Sequence, residues 1–365
     1  SIYLYGASVQ GIQQFIFSTN RLKEIVGGSE LVEKVCTTLF EEEVNKTGEF
    51  DENNLLIGAA GNIKYIFHSK KECEGVFRTF ARLVMTVAPG ITISQAVVPV
   101  EGSLKEANNQ LESELRAQRN KRPVAHGLGW MISERSRRTG YPSVTKDRGE
   151  FIDKAQLAKR NAYQNGSKIL LQEIIDKERL DSRRIPKEMK ELFLRGDKGW
   201  LAVIHADGNG LGKKIMALSK QKFTDDQYKE AFRTVSRSLD KATKAAVKKA
   251  YASLEQRYEL QKIIIRPIIL GGDDLTLIID GAYALPFTER YLKAFEEETR
   301  IAFSGVSDNF FGFDGFENGL TACAGIAYIK PNYPFHYAVD LSETLCKWAK
   351  NTSRAHSSLM FHKVY

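Results

Sequence analysis

Apolar residues along this chain recur in one order of elements, and the order occurs twice. Residues 2–8 form a short apolar run that reads as a strand. Ile12, Phe15 and Ile16 follow Gly11 at helical spacing. Gly27-Gly28 is expected to break the next helix, with Ser29 as N-cap of another in which Leu31, Val32, Val35 and Leu39 recur. Residues 55–57 and 63–67 read as strands about the small-residue turn Gly58-Ala59-Ala60-Gly61-Asn62. A helix over 70–87, stopped by Pro89-Gly90, a strand over 91–100 and a helix over 104–119 complete β-α-β-β-α-β, the order of a ferredoxin-like sheet.

From Trp200 the pattern restarts. Residues 201–206 read as a buried strand ending at Asp207, followed by the glycine-rich turn Gly208-Asn209-Gly210-Leu211-Gly212. The spacing Thr224-x-x-Gln227 opens a long helix with Phe232, Val235, Leu239, Ala242, Ala246 and Val247 on one face. Two apolar strands then flank Gly271-Gly272-Asp273-Asp274, with the paired carboxylates expected to start the second strand. A helix over about 286–303, a strand over 320–328 and a helix carrying Leu341, Leu345 and Trp348 follow, with Lys347 and Lys350 near its end.

The halves superpose as sequences. Residues 5–12 align with 204–211, residues 59–63 with 271–275, and residues 91–97 with 320–326. Three matches in order predict an internal duplication. In this alignment Asp207, Asp273 and Asp274 stand opposite Ser8, Gly61 and Asn62. The predicted architecture is therefore α+β: a ferredoxin-like domain over 1–120, a basic, mostly helical insertion over 121–198, and a second such domain over 199–365.

The charge is unevenly spread. Of a net +8, residues 115–198 hold 21 Lys/Arg against 11 Asp/Glu, so the rest is slightly acidic. Such a segment suits phosphate-rich partners such as RNA, and equally a solvated helical surface. Its glycines and Pro142 mark a connector, with helices expected near 154–160 and 169–175. Cys36, Cys73, Cys323 and Cys346 are scattered without a CxxC pair, which excludes a zinc finger or a disulfide framework and suits a reducing cytoplasm. No apolar run has the length of a membrane span, and the first residues read as a strand rather than a secretory leader.

The doubled pattern gives the carboxylates their interest. In a ferredoxin-like sheet the first strand lies beside the central hairpin, so Asp207 reaches the tip that holds Asp273 and Asp274. Three converging carboxylates repel unless a cation sits among them. With Mg²⁺ or Mn²⁺ they form the clamp of nucleotidyl transfer, in which a metal lowers the pKa of an attacking 3′-hydroxyl and holds a triphosphate such as ATP. The turn Gly208-Asn209-Gly210-Leu211 is a candidate phosphate cradle at a helix start. Gly271 and Gly272 are expected to leave room for a base or ribose, because side chains there would collide, and Lys350 to meet the phosphate tail. Singly, each piece also fits an ordinary turn, an N-cap or a solvated lysine.

The hairpin Gly271-Gly272-Asp273-Asp274 with Asp207 on the preceding strand resembles the nucleotide cyclase and polymerase Palm superfamily. More narrowly, it is similar to the large Palm-containing subunit of type III CRISPR effector complexes of the Csm and Cmr types. Residues 11–17 and 22–29 resemble the start of that family's first Palm. Residues 320–326, Ala349-Lys350 and Phe361-His362 resemble the end of its second. The resemblance implies two Palms packed as a pseudo-dimer with ATP between them, making cyclic oligoadenylates that switch on antiviral effectors. It further implies Asp207, Gly208, Asp273 and Asp274 as metal-binding residues and Ser29 as a contact to a second nucleotide. CRISPR-type partner subunits are implied as well, with one active site per chain even in an oligomer.

Departures from the family set further expectations. The chain has no adjacent His-Asp pair such as an HD nuclease carries, so DNA cleavage is not expected. Residues 133–142 resemble a zinc knuckle without its cysteines, and the chain stops at Tyr365, as a minimal two-Palm version would. The rival expectation is a catalytically silent nucleotide- or RNA-binding scaffold that uses the basic segment.

Overall fold

The doubled pattern becomes two sheets of one topology in the computed structural model, which describes residues 2–365 apart from 60, 122–130, 167, 177–179, 182–183, 195–198 and 353. The chain divides into two compact units, Ser1–Ser167 and Lys168–Tyr365, so the basic stretch 121–198 is shared between them.

In the first unit β1 (Tyr3–Gln10) leads through α1 (Ile12–Phe17), α2 (Leu22–Cys36) and α3 (Thr38–Val44) to the hairpin β2 (Leu55–Ala59) and β3 (Asn62–Phe67). The helix α4 (Lys70–Val87), β4 (Thr92–Pro99) and α5 (Leu104–Arg119) complete the repeat. Its strands lie in the order β2-β3-β1-β4, the ferredoxin-like arrangement. A short hairpin, β5 (Thr145–Asp147) and β6 (Glu150–Ile152), and α6 (Lys154–Gly166) close the unit.

Two sequence expectations change here. Gly27-Gly28 does not break a helix, and Ser29 is no N-cap: both glycines and a buried Ser29 lie inside the continuous α2. The glycines serve contact instead, since a Cβ on Gly27 would collide with the Lys159 carbonyl of α6. The knuckle-like residues 133–142 form a small turn closed by polar side chains. Ser136 and Thr139 face Asp153 and Gln156: the Ser136 hydroxyl donates to Gln156 Oε1 at 2.6 Å, and the Thr139 hydroxyl donates to Asp153. Hydrogen bonds at this buried cluster hold the turn, and Gly127 and Gly129 lie outside the described residues.

The second unit begins with α7 (Ile169–Ile174), then β7 (Leu201–Gly208), α8 (Leu211–Ser219) and α9 (Asp225–Tyr258). Next come β8 (Ile265–Gly271), β9 (Asp274–Asp280), α10 (Gly281–Ser304), β10 (Ala322–Ile329), α11 (Phe335–Thr352) and β11 (Ser358–Lys363). Strand order is β11-β10-β7-β9-β8, the first sheet's order with one parallel edge strand added. The duplication holds in register. Ala7 pairs with Ile63 and Gln95, and its sequence equivalent Ala206 pairs with Leu275 and Ala324.

Alternation along the strands gives this sheet two different faces. Ala202, Ile204, Ala206, Leu275, Leu277, Ile279, Ala324 and Ile326 join the main core with residues of α9 and α10. The Thr224–Gln227 capping box opens α9 as its spacing predicts. The opposite face carries His205, Asp207, Thr276, Cys323 and Gly325, with α11 packed across β10 and β7. Contact there is close: a Cβ on Gly325 would collide with the Ser342 carbonyl. The buried side of α11 mixes the small Ala338, Ser342, Cys346 and Ala349 with Phe335, Val339 and Leu345, while Trp348 is 54% exposed. Among the described residues no helix is long and apolar enough to cross a membrane.

A candidate metal centre at the hairpin tip

The loop joining β8 to β9 is two residues long, because Gly271 pairs with Asp274. Gly271 is thus strand, Gly272-Asp273 is the turn, and only Asp274 starts β9, which shifts the predicted layout by one residue. Gly272 has φ +60° while Asp273 keeps φ out of the left-handed region, the pattern of a type II′ hairpin turn. Gly272 is needed for that backbone, and the space beside it is open, since a Cβ on it would meet no protein atom within 4 Å.

This turn delivers two acids to the end of β7. One carboxylate oxygen from each of Asp207, Asp273 and Asp274 can lie within 4.8 Å of the others. Gly208 permits the approach, because a Cβ there would stand 3.0 Å from both the Cβ and Oδ2 of Asp273. In the sister sheet the equivalent Ser8–Asn62 pair is neutral, and the Ser8 hydroxyl donates to Asn62 Oδ1 at 2.9 Å.

Burial and the repulsion of neighbouring carboxylates leave the two hairpin acids, Asp273 and Asp274, reluctant to ionise. Burial, then Asp274 and Asp207, push Asp273 up to about 7. Burial first and Asp207 next push Asp274 up to about 6. The field extends further: burial and the three carboxylates hold the Tyr291 phenol well above its ordinary value. Lys350 of α11 supplies a counter-charge, its ammonium donating to Asp207 Oδ2 and, at 2.9 Å, to the Gly208 carbonyl. Hard oxygen donors, raised carboxyl pKa values and a cation already drawn to one ligand together fit a divalent ion such as Mg²⁺.

The glycine turn after β7 has a divided role. Gly210, at φ +72°, is the N-cap of α8, and Leu211 begins the helix, so the first-turn amides of α8 are free of helical partners. Asn209 faces inward: it is 5% exposed, and its amide donates to Thr321 Oγ1 at 3.0 Å and Cys323 Sγ at 3.3 Å. It holds the turn to β10. Ser29 lies in the first unit, inside α2.

Several neighbours were not legible as site residues. His205 shares the face with Asp207, its Nδ1 3.1 Å from Thr276 Oγ1, and burial pushes its pKa down to about 4, so it is neutral at pH 7. Glu343 of α11 brings a further carboxylate whose charge bears on Asp274. Thr243 of α9 donates to the Gly272 carbonyl at 2.6 Å. The helical periodicity of α9 and α11 announced a buried face but not these contacts.

This geometry has known counterparts. Residues 200–358 match the family model described as Cas10/Cmr2, second palm domain. The second unit is a Cas10/Cmr2 palm. A Cas10-like fold extends over the rest of the chain, as likeness to solved structures shows. The crystal structure of a Csm1–Csm4 cassette in complex with cA4 is matched at 16% identity and TM-score 0.61, over 98% of this chain and 54% of that one. A Csm1–Csm4 subcomplex of the type III-A CRISPR-Csm interference complex gives 16% identity and TM-score 0.63, over 98% and 54%. The cassette in complex with one ATP gives 17% identity and TM-score 0.61, over the same shares. This chain thus spans about half the length of the solved chains it matches. No curated protein matches it in sequence.

Proposed function

We propose that this palm pair is a metal-dependent nucleotidyltransferase that joins ATP into short cyclic 3′-5′ oligonucleotides, a second-messenger synthase of the type III CRISPR kind. One observation carries the reading. Asp207, Asp273 and Asp274 converge at a turn that the same fold builds, in its sister copy, with the neutral pair Ser8–Asn62. The acids are therefore dispensable to the hairpin, and their convergence costs stability unless a cation is bound.

In this reading Asp207, Asp273 and Asp274, with the Gly208 carbonyl, hold the metal. Bound Mg²⁺ or Mn²⁺ supplies Lewis acidity, acidifying an attacking 3′-hydroxyl and neutralising the triphosphate. The free first-turn amides of α8, after Gly210, face phosphate oxygens with the helix dipole behind them. Lys350 exchanges Asp207 for the phosphate tail, and the open space at Gly272 admits the base or ribose. The 3′-hydroxyl gives its proton to solvent as its oxygen bonds to the α-phosphorus of the next nucleotide and pyrophosphate leaves. In the final step the terminal 3′-oxygen attacks the α-phosphorus of the chain's own 5′-triphosphate end, releasing a last pyrophosphate and closing the ring. Ser29, from the resemblance alone, is assigned to a second nucleotide.

Likeness to chains solved with cA4 and with ATP supports the substrate class, and the Csm1–Csm4 pairing supports CRISPR-type partner subunits. The scaffold alternative has less support, because part of the basic segment is used internally. Arg160 pairs with Glu24, Asp147 and Glu150, and Arg138 pairs with Glu150. Labelled ATP with Mg²⁺ or Mn²⁺, its products resolved by mass, tests the proposal. Cyclic products are expected from ATP, whereas strongly salt-dependent RNA binding without any product would favour the scaffold.

A further inference from the structure

Most threonines within the helices of this chain turn their hydroxyls back on their own backbone. Thr86 donates to the Arg82 carbonyl, Thr288 to Ala284, Thr299 to Phe295 and Thr344 to Asp340, each four residues back. This is the usual satisfaction of a helical threonine. Thr243 departs from it. Fully buried in the middle of α9, it directs its hydroxyl out of the helix to the carbonyl of Gly272, at 2.6 Å.

The geometry points to Thr243 as a positioning residue: by holding the Gly272 carbonyl against α9, it fixes the peptide that carries the Asp273 amide and so sets where the Asp273 carboxylate sits. The reasoning is elementary. In a trans peptide the C=O and the following N–H point in opposite directions. A carbonyl drawn towards α9 therefore turns the Asp273 N–H away from that helix and fixes the orientation of the peptide from which the Asp273 side chain departs. Gly272, at φ +60°, is the most permissive residue of the hairpin, so without an anchor this peptide would be the easiest to rotate. The hairpin brings Asp273 to Asp207, and the helix below holds it there.

The tether itself is independent of any ligand, while its effect on metal rests on the reading proposed above, so two measurements separate them. The first is amide hydrogen exchange across residues 271–274 in the wild type, Thr243→Val and Thr243→Ser. Valine keeps the shape and removes the donor, and serine keeps the donor. Loss of one buried hydrogen bond predicts about ten-fold faster exchange in Thr243→Val and near-wild-type exchange in Thr243→Ser. Thr243→Ala replaces the valine variant should that one not fold. The second measurement is Mn²⁺ affinity by calorimetry, expected to weaken about ten-fold in Thr243→Val and to recover in Thr243→Ser. Equal exchange in wild type and Thr243→Val, or metal affinity that ignores the substitution, overturns the inference. A wild type with the expected exchange pattern but no Mn²⁺ binding instead sinks the metal centre and leaves the tether standing.

Discussion

Asp274 lies one residue beyond the Ala206–Leu275 pair, where Asn62 faces Ser8 in the sister sheet, and this exchange turns a neutral hydrogen bond into a charge problem. The problem has a sign. Asp273 and Asp274 are pushed up to about 7 and about 6 from the ordinary 3.8, so the folded chain holds their protons more tightly than the unfolded chain does. Their contribution therefore favours the fold below about pH 4 and is lost as pH rises through 6 to 7. Asp274→Asn should then raise stability at pH 8 without metal, by about 1 kcal/mol once solvent screening is allowed for, and change little at pH 4. Melting curves at the two pH values check this, and equal differences at both would contradict it. Metal binding must expel the same protons, so Mn²⁺ affinity should climb between pH 5.5 and 7.5. Gly208 tests the geometry separately. Gly208→Ala puts a methyl 3.0 Å from Asp273, and calorimetry should find weaker Mn²⁺ binding with the fold intact by circular dichroism.

Elements with strong periodicity were legible, and those fixed by close packing were not. The capping box of α9 stands where its residues predict, the central hairpin is displaced by one residue, and β7 ends at Gly208, one residue beyond Asp207. The edge strand β11 was missed because Ser358–Lys363 mixes polar and apolar residues and is held by pairing with β10. The spacing predicts α10 from about Pro286, yet the helix begins at Gly281, where the Asp280 side chain accepts from the Ala282 amide. Trp348 is exposed although Leu345, one turn earlier, is buried against the sheet near Gly325: their shared apolar spacing did not resolve which side of α11 meets the sheet. That contact carries its own prediction. Gly325→Ala should force α11 off the sheet, cost roughly 1–3 kcal/mol or more, and loosen Lys350 from Asp207. Urea denaturation measures the loss, and an unchanged midpoint would contradict the packing argument.

At the scale of the whole molecule, the most informative feature of the sequence was its internal comparison. Aligning 5–12 with 204–211 predicted both the repeated strand order and the place where the acids depart from the repeat, and the sheet registers agree with it. What no alignment of strands could reveal was the set of contacts from helices remote in sequence: Lys350 and Glu343 from α11, and Thr243 from α9. Such contacts depend on how a helix is rotated against a sheet, which periodicity defines only to a face. The central claim is that the acids of the second palm serve chemistry and not the fold. The most direct test incubates wild type and the Asp273→Ala, Asp274→Ala double variant with labelled ATP and Mn²⁺, with products resolved by mass spectrometry. The account predicts cyclic 3′-5′ oligoadenylates from the wild type and at least a hundred-fold less from an equally well-folded variant, roughly 3 kcal/mol of transition-state stabilisation. Equal product from both proteins would contradict it.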